Sequence, residues 1–293
     1  MLSFIRRNTF LLLLVVFFIG SDMVISYIDP INNMKIFYKN DLEKTRILHP
    51  YKVWEKVFFG NSTVIASYME NNSKSGYINM GINYGKLTDL REILDRHLVT
   101  VSKDIVIGMN FFTLMDDLPT DPYYIWNRKA YEPYVYFYRD QFKKLITDTI
   151  ETWTTGKPVN TRFSSLTRKE LYYGRLSDEK LKAKVEEYEE KYGNLTLEDF
   201  SDNVQALREV IAFCQKNGIR LRVIWMPWNQ YYQPPEYVNA LKQEVNGILA
   251  ENRIEVVDWS QKIDRKYFHD LGHLNIGQGA PLFTKEIEPW LEK

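Results

Sequence analysis

Two short segments, far apart in the chain, carry residue types that can do nucleophilic chemistry. Near the front, Val57-Phe-Phe-Gly-Asn-Ser62 is an apolar run ending in a glycine, a small polar residue and a serine. That is how a buried strand hands over to a turn with an exposed hydroxyl at its tip. Near the back stands Asp270-Leu-Gly-His273. A serine is a weak nucleophile until a base lies within hydrogen-bond reach. An imidazole close to a carboxylate supplies one, because the carboxylate can hold one ring nitrogen while the other faces the serine. Each segment alone has a plainer explanation. Serine is a preferred helix cap, and Asp270 can cap a turn with His273 as an incidental neighbour. Taken together, and with Asn110 ending another apolar run, they point to one active site closed by the fold. His269 is a decoy beside His273, and His49 and His97 lie far from any motif.

The elements around these residues read as a parallel α/β sheet. Val57–Phe59 is the first buried strand, and Ser62 opens a helix whose first N–H groups would stabilise an oxyanion. A second strand starts at Tyr77 and ends in the Gly81–Gly85 loop. Leu87–Leu98 is an amphipathic helix. Asp104–Phe112 is a third apolar run, again ending in glycine and a polar residue. Ser201–Asn217 is a helix stopped by Gly218. Ile219–Trp225 is a fourth strand, ending in Met226-Pro-Trp228-Asn229-Gln, whose Trp228 and Asn229 are candidate substrate contacts. Tyr237–Glu251 is a helix, and residues 254–258 form a fifth strand. Ligands of such sheets bind at the carboxyl ends of the strands, where these polar tips converge. The glycine spacing at Gly81–Gly85 does not fit a dinucleotide fingerprint.

Composition narrows the function classes. The chain has 293 residues and a formal net charge of zero, with no basic tract, so nothing favours nucleic acid. Its single cysteine, Cys214, cannot form an internal disulfide and reads as a small buried hydrophobe. No metal site is expected: Asp270, His273 and His269 have no second ligand cluster to join. No cofactor is implied.

Arg6 and Arg7 precede the apolar run Phe10–Ile19, which extends through Ile28. Residues 1–30 are therefore expected to be an uncleaved N-terminal anchor, a cleaved signal peptide being the alternative. The charge order places residues 31–293 outside the cytoplasm. Residues 119–200 read as an insertion. Its first part is rich in Tyr, Trp and Pro, and Tyr123 and Trp126 head a set of aromatic residues that either stack on sugars or cap the sheet. Its second part, Lys169–Tyr192, is a charged helix whose glutamates read as a solvated face.

Gly60-Asn61-Ser62, Asn79-Met-Gly81, Gly108-Met-Asn110 and Asp270-x-x-His273 resemble, in order, the four sequence blocks of the SGNH (GDSL-like) hydrolase superfamily. The resemblance implies a three-layer α/β sandwich with a central parallel sheet. It makes Ser62 the nucleophile, His273 the base and Asp270 its orienting carboxylate. The Ser62 N–H, Gly81 or Gly85, and Asn110 would form the oxyanion hole. Asn61 departs from the usual Asp before the serine. The anchor, the outward orientation and Asp-x-x-His-Leu-Asn-x-x-Gly resemble the membrane-anchored branch that acylates cell-surface polymers, which includes the teichoic-acid D-alanylation and polysaccharide O-acetylation proteins. That branch implies a multi-spanning membrane-bound O-acyltransferase as partner.

Overall fold

The structure, a computed structural model, describes residues 8–28, 30, 41–118, 133–156 and 172–293. The chain divides into two compact units, one of Met1–Asn40 with Tyr123–Ser165 and one of Asp41–Pro122 with Leu166–Lys293. The helices, in chain order, are α1 (Thr9–Ile28), α2 (Asp41–Leu48), α3 (Ser62–Ser67), α4 (Leu87–Asp95), α5 (Phe111–Leu114), α6 (Tyr134–Phe137), α7 (Arg139–Thr155), α8 (Asp178–Tyr192), α9 (Ser201–Asn217), α10 (Glu236–Glu251) and α11 (Gly279–Leu291). The strands are β1 (Val53–Gly60), β2 (Ile78–Gly81), β3 (Thr100–Met109), β4 (Arg220–Trp225) and β5 (Glu255–Asp258).

The second unit is a five-stranded, wholly parallel sheet in the order β2-β1-β3-β4-β5. Helices cover both faces, so the strands read as continuous apolar runs. The side-chain period of two sorts those runs between two cores. Val57, Phe59, Ile105, Ile107, Leu221 and Val223 face one layer, packed by α4, α9 and α10. Phe58, Val106 and Ile224 face the other, packed by α3 and α11. The expected α/β sandwich with a central parallel sheet is the observed fold.

Element limits moved where tertiary packing overrode local pattern. β1 begins at Val53, because Trp54 is buried ahead of the apolar run. α4 stops at Asp95, and His97 turns the chain back with φ +52. α9 spans the residues expected of it. Its inner stripe includes Cys214, whose thiol is pushed up to about 12 by burial. The charged helix of the insertion starts at Asp178 rather than Lys169, with the Ser177 hydroxyl accepting the Lys180 N–H. Residues 169–171 lie outside the described residues.

At the start of the sheet a charged side chain is built into the second core. Arg222 points to the same face as Ile224 and is fully buried. Its guanidinium pairs with Asp104 at 2.9 Å and donates to the Tyr77 hydroxyl. It also donates to the carbonyls of Trp290 and Leu291 at 2.6 and 3.2 Å, satisfying the last turn of α11. Burial first, and Asp104 beside it, push the Tyr77 phenol well above its usual range.

The first unit contains α1, a 20-residue helix of mean hydropathy 2.3 with none of its window buried, long and apolar enough to cross a membrane. Its Asp22 carboxylate accepts the Tyr134 and Val135 N–H groups at 2.7 and 3.0 Å, capping α6. Tyr134 and Tyr138 are buried and packed on each other, while Tyr136 is exposed. Tyr123, Tyr124, Trp126 and Tyr131, the rest of the expected aromatic wall, lie outside the described residues.

Candidate active site

The strand register builds the floor of the site. Gly60 of β1 pairs with Gly81 of β2 on one side and with Gly108 of β3 on the other. Three glycines therefore lie side by side at the carboxyl edge of the sheet. The cause is the helix that follows. A Cβ on Gly60 or on Gly108 would meet Val64 Cγ2 at 2.3 Å, and one on Gly81 would meet Ile65 Cγ1 at 2.5 Å. Only this bare row lets α3 lie close enough to hold Ser62 over the strand ends.

Asn61 fixes the geometry of that turn. Its Oδ1 accepts from Thr63 N and Thr63 Oγ1 at 2.9 and 2.8 Å, which caps α3. A backbone donor thus sets which way the amide faces, and Nδ2 must donate outward, to Asn110 Oδ1 at 2.9 Å and Thr113 Oγ1 at 3.2 Å. Asn110 is fixed in the same manner, because its Oδ1 accepts the Thr113 N–H at 3.1 Å. Its Nδ2 is left to point at Thr63 Oγ1, 3.3 Å away, beside Ser62. The departure from Asp at position 61 is therefore built in, since a carboxylate cannot donate to Asn110. Asn61→Asp should place acceptor against acceptor in a buried site and lower stability by about 1–3 kcal/mol. Urea unfolding of the full-length chain checks this, and an unchanged midpoint would show that Asn110 is held some other way.

Ser62 Oγ lies 2.8 Å from His273 Nε2. His273 Nδ1 lies 2.9 and 3.0 Å from the two oxygens of Asp270. The two sequence segments thus meet across the sheet edge. Asp270 is buried and its Oδ1 also accepts the N–H groups of Gly272 and His273 at 3.0 and 2.8 Å. Burial alone would raise its carboxyl. The His273 charge, the ring hydrogen bond and the two backbone N–H groups outweigh that, and hold it well below the usual carboxylate range. With Asp270 ionised, the Nδ1–H tautomer is favoured and Nε2 is free to take the serine proton. Lys184 of α8 stands 3.9 Å from the other Asp270 oxygen.

Other expected site residues sit differently. The Gly81 N–H donates to Asn79 Oδ1 at 3.0 Å, and the Gly85 N–H to the Ile82 carbonyl at 2.8 Å. Neither is free for an oxyanion, which corrects their expected role. Gly81 is there for clearance, and a Cβ on Gly85 would strike the Gly60 carbonyl at 2.8 Å. Asn229 was expected to contact substrate. It is buried, its Nδ2 donates to the Asp270 carbonyl at 2.9 Å and its Oδ1 accepts from Tyr231 N. Both ends of its amide are engaged, so it positions the Asp270–His273 loop. Trp228 packs against Phe111, and a Cβ on Gly272 would meet its ring at 3.1 Å, so it walls the same loop. Asn110 and Trp228 also line a cavity of about 340 Å³, together with Trp225, Gln230, Tyr232, Gln233 and Asn239. That size lies within the range of small-ligand pockets, and the mixture of aromatic faces and amides suits a hydroxylated ligand.

Three features escaped the sequence reading. The glutamates of α8 are exposed as expected, but Tyr188 and Tyr192 turn inward onto Phe112, at 5.6 and 5.0 Å. Spacing of four along the helix was the available signal, masked by the charges around it. Tyr172 stacks on the His273 ring, with centroids 4.4 Å apart and planes 20° apart. His269, set aside as a decoy, holds that tyrosine's segment in place. Its Nδ1 faces the Tyr173 and Gly174 carbonyls at 3.2 and 3.1 Å, and its carbonyl accepts the Leu176 N–H at 2.9 Å.

No protein-family model matches the chain, and no curated protein matches it significantly. Among solved structures it is similar to a "putative acylhydrolase" from Bacteroides fragilis, with 13% identity over 81% of this chain and 86% of that one, at a TM-score of 0.40. A likeness that distant leaves the activity to be read from the site itself.

Proposed function

We propose that this protein is a membrane-anchored, extracytoplasmic serine O-acyltransferase of the SGNH type. It would act in O-acetylation or D-alanylation of a cell-surface polysaccharide or teichoic acid. The observation that carries the reading is the Ser62–His273–Asp270 chain of contacts, with Ser62 Oγ 2.8 Å from a histidine whose other nitrogen is held by a carboxylate. His273 takes the Ser62 proton as the hydroxyl attacks an acyl carbonyl. The oxyanion is stabilised by the Ser62 N–H at the start of α3 and by the Asn110 amide. The leaving group departs with the proton from His273, and the acyl-serine passes its group to an acceptor hydroxyl.

Transfer rather than hydrolysis requires that water be kept from the acyl-serine. The His273 side chain is 15% exposed and is covered by Tyr172, which favours transfer. The nearby cavity with its Trp, Tyr and Gln lining suits a sugar acceptor. The apolar helix α1 would anchor the chain, with Arg6 and Arg7 on the cytoplasmic side. A multi-spanning membrane-bound O-acyltransferase would deliver acyl groups from the other side of the membrane. The second reading is a surface carbohydrate esterase, which uses the same residues with water as acceptor.

The test is acyl partition. Full-length protein, reconstituted in liposomes with such a partner, would be given an acyl donor and a polymer acceptor. Acyl groups should appear on the polymer, and should not do so with Ser62→Ala. Free acid formed at a rate indifferent to the polymer would establish the esterase. Polymer acylation unchanged by Ser62→Ala would mean that the protein is a non-catalytic scaffold.

A further inference from the structure

We propose that Tyr172 is a member of the oxyanion hole, its phenol O–H donating to the acyl carbonyl oxygen as Ser62 attacks; this rests on the serine chemistry proposed above. The site as built is short of donors. Two N–H groups expected there, those of Gly81 and Gly85, are engaged by Asn79 and Ile82. The Asn110 amide shares its N–H groups with Thr63, at 3.3 Å. An oxyanion beside Ser62 needs donors close to the position its oxygen will take, and each is worth a large factor in rate.

Tyr172 is placed to fill the gap. Its ring lies flat on His273, 4.4 Å away, and the Ser62 hydroxyl is among the groups that act on its phenol. A side chain stacked on a base whose Nε2 lies 2.8 Å from the nucleophile borders the space an acyl carbonyl must enter. It is also held there. The Tyr172 carbonyl accepts the Ile276 N–H at 3.2 Å, and His269 faces the next two carbonyls. The catalytic loop therefore grips the tyrosine from both sides of His273. Burial pushes the phenol up to about 12, the Asp270 charge acts in the same direction, and the Ser62 hydroxyl opposes them. The phenol stays protonated in neutral solution and remains a donor.

In the step itself the Ser62 Oγ–carbon bond forms and the Ser62 proton passes to His273 Nε2. The carbonyl π pair moves onto oxygen, where the Tyr172 O–H holds it. On collapse the pair returns, the bond to the leaving oxygen breaks, and His273 gives that oxygen its proton. Tyr172 keeps its own proton throughout.

The experiment uses the full-length chain in detergent with 4-nitrophenyl acetate, comparing wild type, Tyr172→Phe, Tyr172→Ala and Ser62→Ala. Phenylalanine keeps the stack on His273 and removes only the donor. Tyr172→Phe should lower kcat by about 10²–10³-fold, the effect of losing one oxyanion donor, with KM and melting temperature unchanged. Tyr172→Ala should be at least as impaired. Wild-type kcat in Tyr172→Phe, with Ser62→Ala inactive, would overturn the role of Tyr172 and leave the serine mechanism standing. Faster turnover in either tyrosine variant would mean that the ring obstructs the site, and overturns the proposal. Turnover that survives Ser62→Ala would remove the serine mechanism and Tyr172 with it.

Discussion

Ser62→Ala in the full-length chain should lower ester turnover by about 10⁶-fold, and His273→Ala by a similar factor. The double variant should be no worse than either single one. A nucleophile without its base, or a base without its nucleophile, has already lost the covalent route, so the second removal takes away nothing more. The 2.8 Å contact between the two side chains is what makes them one unit. Asp270→Asn should cost about 10⁴-fold, because an amide in place of the carboxylate no longer selects the Nδ1–H tautomer. Labelling by a serine-directed fluorophosphonate, followed beside the steady-state rates, should fall in the same order. Additive losses in the double variant would sink the shared mechanism. Asp270 adds no limb to the rate profile in the ordinary pH range, because its carboxyl is held down. Sign follows from the same fact. A carboxyl lowered by folding contributes stability above its unfolded value, and that contribution is lost as the pH falls below about 4 towards the folded value.

Arg222→Met should be the most destabilising single change away from the active site. The arginine is fully buried, and its removal strands Asp104, 6% exposed, without its cation. Breaking a buried pair from one side costs about 3–5 kcal/mol. The carbonyls of Trp290 and Leu291 lose their donor as well, so the last turn of α11 should loosen from the sheet. A fall in melting temperature of roughly 6–20 °C is expected for the unit that holds the sheet. The paired change Arg222→Met with Asp104→Leu should recover most of that loss, because apolar replacement of both partners removes the stranded charge. Circular dichroism melts of the wild type and these two variants decide it. A double variant as unstable as Arg222→Met would show that the damage lies in the α11 carbonyls and not in Asp104. Catalytic constants should change little while the protein stays folded, since none of these groups touches the Ser62–His273 contact.

Much of this was legible in order along the chain. Apolar runs at Phe58, Val106 and Ile224, each followed by glycine or a polar tip and separated by helical periods, determined a parallel sheet and which of its edges carries the polar tips. Strand-end chemistry singled out Ser62, and Asp270-x-x-His273 is local enough for three residues of spacing to hold an imbalance of charge and ring in one loop. The apolar run of α1 is a property of composition alone. Tertiary structure decided the rest, because it depends on what lies opposite. Gly81 looked like an oxyanion donor until the path of α3 showed it to be clearance for Ile65. Asn229 read as a substrate contact in a polar loop, yet its amide closes on the Asp270 carbonyl. Arg222 sits in a strand whose pattern says only that its side alternates inward, and nothing local names Asp104 or the end of α11 as its partners. Tyr172 lies some hundred residues before the histidine it stacks on, with no motif around it. A stretch of sequence specifies its own hydrogen bonds and periodicity, whereas a contact across the sheet edge exists only once the whole chain has placed both partners.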